Sequence, residues 1–252
     1  MGARLTPSHR TRVTPGDLPR LSVGEGFAGA TAALSGLWDG AELSFEVGED
    51  GTFEAEGLDC PETYEVRVGW MRCWLEVVEA HMCTVDAVLD CGSERGDGPR
   101  ASGATEADAF EARERACSVI EGACSMSFVP VVSSEGLWGE EGDWVPLRWT
   151  GVTEIRGDVC PRSDSGVRLR RSGNTSVSYV HGRGPVPADV SSACARLAAS
   201  YLVPSSIPDR AVGESTDAGF LRFTLAGVDG ETGIPEVDAV IQRHRRARAV
   251  VL

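Results

Sequence analysis

Residues 187–246 read PADVSSACARLAASYLVPSSIPDRAVGESTDAGFLRFTLAGVDGETGIPEVDAVIQRHRR, and they contain two predicted helices joined by a long loop with one strand-like run. Pro187 suits the start of the first helix, where no backbone donor is needed, and Asp189 suits the positive end of the helix dipole. Apolar side chains then recur with a period near 3.6 residues, which predicts one buried stripe that ends at Pro204. The stripe consists of Val190, Cys194, Leu197, Ala198, Tyr201 and Leu202.

The second helix is predicted to begin after Gly233. Pro235 is preset for a first helical turn, and two acidic residues follow it at the positive end of the dipole. Val237, Val240, Ile241 and His244 repeat at i, i+3, i+4 and i+7, and arginines fill the last turns. Two interpretations stay open. The segment either docks on another protein, or it folds back on its own core with a solvated arginine face.

Several short motifs in the second half of the chain are distinctive. They are SFVP at 127–130, YVHG at 179–182, LVPSSIPDR at 202–210, STD at 215–217, FLR at 220–222 and TGIPEVDAV at 232–240. Together they resemble the head-to-tail adaptor proteins of long-tailed phages that infect actinobacteria. The resemblance covers residues 105–246, whereas the first hundred residues depart from any pattern that we can place.

The resemblance implies a structural virion protein and no enzyme. It implies a dodecameric ring in the phage neck, which binds the portal protein on one side and a tail-side neck protein, the stopper, on the other. Double-stranded DNA would pass through the ring without sequence-specific binding. No cofactor, metal or membrane partner is implied, and the protein would be made in the host cytoplasm before it enters the virion.

In this family the C-terminal segment docks on the portal. Carried over to this chain, the portal-docking residues are Ile234, Pro235, Val237, Val240, Ile241, Arg243, His244, Arg245, Arg246 and Arg248. The loop residues expected to contact neighbouring subunits are Ile207, Pro208, Asp209 and Arg210. The apolar members would act as anchors and the arginines would meet acidic portal groups. Deletion of everything after Gly233 is therefore expected to leave a folded protein.

Three alternatives to this function remain. One is another neck ring, either the stopper or a tail completion protein. A second is a carbohydrate- or protein-binding role for the N-terminal part, which would require exposed tryptophans. A third is a metal-dependent hydrolase, which would require bound zinc or manganese.

The composition excludes several function classes. All 24 basic residues are arginine, so the lysine that phosphate-binding loops and kinases need is absent. With 38 carboxylates the net charge is -14, which argues against a general affinity for nucleic acid and suits a surface past which DNA slides. No secretory signal and no membrane-length apolar run are visible, so a soluble protein made in a reducing cytosol is expected.

Candidate catalytic and metal-binding residues are few. The four histidines, at positions 9, 81, 181 and 244, have no carboxylate partner at ligand spacing, and no motif of a known catalytic class occurs. None of the eight cysteines lies in a CxxC pair, so most are expected to be buried small side chains. The state of Cys60, Cys73, Cys83 and Cys91 stays open between thiol, disulfide and metal ligand.

The predicted fold class is α+β, with a small core of about three helices, an inserted antiparallel sheet and an N-terminal β-rich module. The predicted divisions are a flexible arm at 1–22, the β-rich module at 23–91, a linker at 92–104, the adaptor core at 105–233 and the docking helix with its tail at 234–252. Within the module, alternation predicts a hairpin over residues 43–55. Trp38, Trp70 and Trp74 are expected to fill the core.

Overall fold

The computed structural model describes residues 2–7, 10–15, 20–92, 98–203, 213–216, 219–222 and 232–245. Helices combine there with several small, mostly antiparallel sheets, so the predicted α+β class is confirmed. The chain divides into two compact units. The strand unit comprises the described residues of Met1–His81 and Ser125–Val186, and the helical unit those of Met82–Cys124 and Pro187–Arg245.

This division differs from the predicted boundary at 92–104. The strands that follow residue 125 belong with the N-terminal strands and not with the helices. Within the strand unit, Thr63 Oγ1 donates to Val132 O at 2.7 Å, and the Arg156 guanidinium lies 4.0 Å from the centre of the Trp38 ring. These contacts join segments far apart in the chain, which is why composition alone does not reveal them.

The first half of the strand unit contains a five-stranded sheet in the order β2-β8-β7-β4-β5 and a three-stranded sheet in the order β1-β3-β6. The strands are β1 (Gly2–Arg4), β2 (Arg10–Val13), β3 (Arg20–Ser22), β4 (Thr31–Gly36), β5 (Glu42–Glu46), β6 (Thr52–Glu54), β7 (Glu62–Val68) and β8 (Met71–Val77). The predicted hairpin over 43–55 is wrong in its pairing, because β5 pairs with β4 and β6 with β3.

The predicted flexible arm at 1–22 is also wrong in its described residues, which form β1, β2 and β3. Strand β2 runs parallel to β8, and Arg12 Nη2 lies 2.8 Å from Glu76 Oε2. Both side chains are buried. Arg10 pairs with the same carboxylate, so a segment rich in Arg, Pro, Ser and Thr is ordered by a partner more than sixty positions away.

The second half of the strand unit forms two three-stranded sheets, in the orders β11-β14-β9 and β10-β13-β12. The strands are β9 (Val131–Gly139), β10 (Trp144–Pro146), β11 (Val152–Arg156), β12 (Val159–Ser163), β13 (Gly166–Leu169) and β14 (Gly173–His181). One apolar cluster lies between them, formed by Leu137, Leu147, Val159, Val167, Leu169, Val177 and Tyr179. The inserted antiparallel sheet that the sequence predicts is therefore present, as two small sheets.

The helical unit contains α1 (Val85–Leu89), α2 (Glu106–Cys124), α3 (Ala188–Leu202), β15 (Gly213–Thr216), β16 (Gly219–Arg222) and α4 (Pro235–His244). A capping box begins α2: Thr105 Oγ1 donates to Asp108 Oδ2 at 2.7 Å and accepts from the Asp108 backbone N–H at 3.2 Å. Helix α2 contacts α3, as its apolar face predicts. In the predicted stripe of α3, Leu197 is 2% exposed.

Candidate docking surface at the C-terminal helix

The start of α4 is held by a local hydrogen-bond network. Asp238 Oδ1 accepts from both the backbone N–H and the hydroxyl of Thr232, each at 2.9 Å. The Thr232 hydroxyl in turn accepts from the backbone N–H of Ile234 at 3.2 Å. Pro235 occupies the first turn, as predicted. The TGIPEVD sequence therefore encodes a defined helix start.

The apolar side of α4 faces its own unit. Val237 is 0% exposed and Ile241 is 1% exposed, while Val240 is half-buried. Cys124 Sγ at the end of α2 donates to Ile241 O at 3.7 Å, and α4 also contacts α3. Burial of each branched side chain stabilises the unit by about 1.5–3 kcal/mol.

In the single chain Val237 and Ile241 are already covered by their own unit, and their role as anchors for a partner stays a prediction. Deletion after Gly233 would also remove both side chains from the core. Of the two interpretations that the sequence left open, the structure shows the helix folded on its own core.

The basic end of α4 is bound to the start of α3. Arg243 Nη1 lies 2.7 Å and His244 Nε2 lies 3.0 Å from the same oxygen, Asp189 Oδ2. The hydrogen bond from His244, together with Arg243, holds the pKa of the Asp189 carboxyl below its usual value. The Arg243 side chain is 64% exposed, so water screens this ion pair strongly. His244 thus has a carboxylate partner, which its spacing in the sequence did not reveal.

The outward side of α4 is polar. Its exposed residues are Pro235, Glu236, Ala239, Gln242 and Arg243, and Arg245 follows them at the helix end. We call Arg243 and Arg245 the basic end of α4. The remaining predicted docking residues, Arg246 and Arg248, and the loop residues Ile207, Pro208, Asp209 and Arg210 lie outside the described residues.

One tryptophan that the sequence assigned to the core lies on the surface. Gly69 (φ 56°) and Trp70 form the two-residue connection between β7 and β8, and Trp70 is 85% exposed. Its ring centre lies 5.5 Å from that of Phe27. Trp38 and Trp74 are half-buried. Gly69 stands between the two alternating runs that form β7 and β8. It could have predicted a hairpin turn with Trp70 exposed, because two-residue hairpin turns favour Gly at the first central position.

His181 is buried in the strand unit and has no catalytic geometry. Its Nε2 lies 2.9 Å from Ser133 Oγ, and its ring stacks on Trp149 with centres 5.2 Å apart. Burial lowers the pKa of His181 to about 3, so the ring is neutral at ordinary pH.

The described ranges contain no group of three or more His, Cys, Asp or Glu side chains placed to hold a metal ion. No disulfide joins any of the eight cysteines, Cys60, Cys73, Cys83 and Cys91 included. Within the same ranges, no helix has the length and apolar content that a membrane span requires.

Comparison with protein families found no match, and comparison with curated proteins found none. Among solved structures, the chain is similar to a chain in a structure described as the neck of an empty GTA particle, computed with C6 symmetry. The TM-score is 0.41 and the sequence identity is 17%, over 59% of this chain and 82% of the other. A TM-score this low does not establish a shared fold.

Proposed function

We propose that the protein is a head-to-tail adaptor of a phage neck, a structural virion subunit without catalytic activity. Copies of the chain would form a dodecameric ring that joins a portal protein to the tail-side neck protein. The resemblance of residues 105–246 to that family supports this proposal. The structural observation that carries it is the exposed basic end of α4, a concentration of arginine on a chain of net charge -14.

In this proposal the arginines bind the partner, and the apolar face of α4 positions them. Val237 and Ile241 hold the helix on its own unit. Arg243 is mostly exposed, and exposed ion pairs contribute only about 0–1 kcal/mol. It can therefore exchange Asp189 for a carboxylate of the partner at small cost. Complementary charge of this kind accelerates association and orients the partner.

The rest of the proposed assembly follows from symmetry and charge. A head-to-tail contact between identical subunits closes into a ring when the rotation per subunit divides a full turn. Duplex DNA is strongly anionic, so a chain with 38 carboxylates and 24 arginines would let DNA pass through the lumen without binding it tightly.

The test compares the full chain with an Arg243→Glu/Arg245→Glu double variant, which removes the basic end of α4 and leaves its buried face in place. Each is mixed with portal-bearing capsids of the encoding phage and imaged in negative stain. The full chain is expected to form a collar at the portal, and the double variant is expected to lose it. Arg162→Glu is the matched control, because Arg162 is an exposed arginine on β12, in the strand unit.

Two outcomes would count against the proposal. A double variant that forms collars as well as the full chain would contradict the assignment of docking to the basic end of α4. A full chain that binds neither portal-bearing capsids nor isolated tails would remove the adaptor function itself. Circular dichroism of each variant verifies that it is folded.

A second candidate function is carbohydrate binding by the strand unit. The exposed Trp70 ring beside Phe27 favours it, since exposed aromatic surface is typical of a contact site. Titration with bacterial cell-wall polysaccharide is then expected to quench tryptophan fluorescence in the wild type and in Trp138→Ala but not in Trp70→Ala. Equal quenching in the Trp70→Ala and Trp138→Ala variants would contradict carbohydrate binding at Trp70.

A further inference from the structure

A surface cavity in the strand unit is lined by carboxylates. Between Arg20 and Arg67 the chain carries eleven carboxylates and no basic residue. Three of them, on Glu46, Asp50 and Glu54, are exposed and line a cavity of about 430 Å³. We call it the acidic cavity.

The acidic cavity also has an aromatic side. The rings of Phe45 and Phe53 line it, stacked with their centres 6.0 Å apart. Arg20 lines it too, and its Nε lies 2.9 Å from Glu54 Oε1. Glu46 has no ion-pair partner among the described residues. A guanidinium binds both a carboxylate and the face of an aromatic ring, so the cavity suits one more arginine side chain.

The opposite charge is concentrated on the sheet β10-β13-β12. Residues 160–171 carry four arginines and one carboxylate. Arg168 is paired across the strands with Trp144 on one side and Cys160 on the other. Its neighbours along β13 are buried in the apolar cluster, so Arg168 points away from that cluster and is exposed.

Arg168, Arg170 and Trp144 together form a surface that we call the basic face. Arg170 Nε donates to Cys160 Sγ at 3.2 Å, which holds Arg170 beside the row that contains Arg168. A Cβ at Gly166 would lie 2.5 Å from the Trp144 ring, so the glycine leaves room for the indole against the sheet. Arg168 has no ion-pair partner among the described residues. Arginine and tryptophan are the residue types most enriched at binding hot spots.

We propose that the basic face of one copy of the chain docks on the acidic cavity of a second copy. The Arg168 guanidinium enters the cavity, where it packs on the Phe45 ring and pairs with Glu46. This inference rests on the proposed function for its place in the neck, where it is the contact between neighbouring subunits of the ring.

A second copy is the occupant because each surface has its complement on the same chain. The two surfaces lie on different sheets, and the ion pairs at each are local. Glu54 pairs with Arg20, and Arg171 Nε lies 3.5 Å from Asp158 Oδ2. Contact between two different surfaces is head-to-tail, so it builds a closed ring or an open filament and not a two-fold dimer.

The test uses the full chain and two charge-reversed variants. Arg168→Glu/Arg170→Glu reverses the basic face, and Glu46→Arg/Glu54→Arg reverses the acidic cavity. Sedimentation velocity at rising protein concentration measures association at low salt, where exposed charges attract over more than about 10 Å. The wild type is expected to associate, and each variant alone to associate at least about a hundredfold more weakly, because like charges then face each other. An equimolar mixture of the two variants is expected to regain association, since each reversed surface then meets its complement.

Two further variants control for net charge and for folding. Arg162→Glu makes the same type of change on β12, beyond the register shift that separates it from the row of Arg168, and is expected to associate like the wild type. Glu46→Arg alone retains the pair between Arg20 and Glu54 and is expected to weaken association as well. It replaces the double cavity variant if circular dichroism shows that the double variant is unfolded.

Three outcomes would overturn the proposal. One is a wild type that stays monomeric at every concentration, and another is a mixture that associates no more strongly than the separate variants. The third is a basic-face variant that associates normally but no longer binds portal-bearing capsids or DNA, because the face would then belong to that partner.

Failure of this contact is distinguishable from failure of the adaptor function. A wild type that forms collars at the portal but stays monomeric in solution contradicts the contact and leaves the adaptor function in place. A wild type that associates through these two surfaces but forms no collars contradicts the adaptor function and supports the contact.

Discussion

Ile241→Ala tests whether the apolar side of α4 belongs to its own unit. The wild-type side chain is 1% exposed, and the substitution removes three carbon groups. At about 0.8 kcal/mol for each group, the lost transfer free energy is roughly 2.4 kcal/mol. The cavity left between α4 and its neighbours adds to this, which brings the expected loss of unfolding free energy to about 3–4 kcal/mol. The hydrogen bond from Cys124 goes to the backbone carbonyl of Ile241 and is retained.

The assay is urea unfolding of the purified single chain, followed by circular dichroism, with no partner present. Gln242→Ala is the control. Gln242 is the next residue along α4 and is exposed, and alanine at this position keeps the helix propensity high. Its expected effect on the unfolding free energy is within about 0.5 kcal/mol. The absence of a partner matters, since a face that docks on the portal would be solvated in this assay.

The result that would refute the reasoning is an Ile241→Ala protein as stable as Gln242→Ala. It would mean that the side chain is solvated in the free protein, and that α4 is a docking helix with apolar anchors. Hydrogen exchange localises the effect, because the lost protection is expected in α4 and in the parts of α2 and α3 that contact it.

Three other predictions concern charged and titratable groups. Asp189→Asn is expected to lower the unfolding free energy by at most about 1 kcal/mol at neutral pH, since the pairs are partly solvated; because the native pKa is lowered, the difference is lost as pH falls below the usual aspartate range. Glu76→Gln removes the charge that faces buried Arg12, and urea unfolding is expected to show a loss of about 3 kcal/mol. His181 stays neutral when folded but gains a proton below about pH 6.5 when unfolded. The wild type is therefore expected to lose about 1.7 kcal/mol of unfolding free energy between pH 6.5 and 5 through this residue, and His181→Gln less.

Much of the secondary structure could be predicted because its causes are local. The residues that begin α2 and α4 have hydrogen-bond partners only three to six positions away, as Thr105 with Asp108 and Thr232 with Asp238 show. Pro187 and Asp189 placed the start of α3 within a residue of its observed start, Ala188. Such signals depend on backbone geometry and near neighbours, which the chain order contains directly.

Contacts between distant positions could not be predicted in this way. The arm at 1–22 was expected to be flexible from its composition. That prediction missed the pairing of Arg12 with Glu76 because the two residues are 64 positions apart. His244 has no carboxylate at ligand spacing in the sequence. Its partner, Asp189, is 55 positions away and comes close only in the folded chain. Pairs of this kind form only when the fold brings two segments together. Composition does not predict which segments meet.

The sequence by itself determined that α4 is an amphipathic helix with a proline and two acidic residues at its start and a basic end, because these signals are properties of neighbouring residues. Only the tertiary structure decided that α2 and α3 cover its apolar face and that Asp189 holds its basic end. The physical reason is that burial of an apolar face is favourable against any complementary surface. Periodicity therefore predicts that the face is covered, and the packing of the chain determines what covers it.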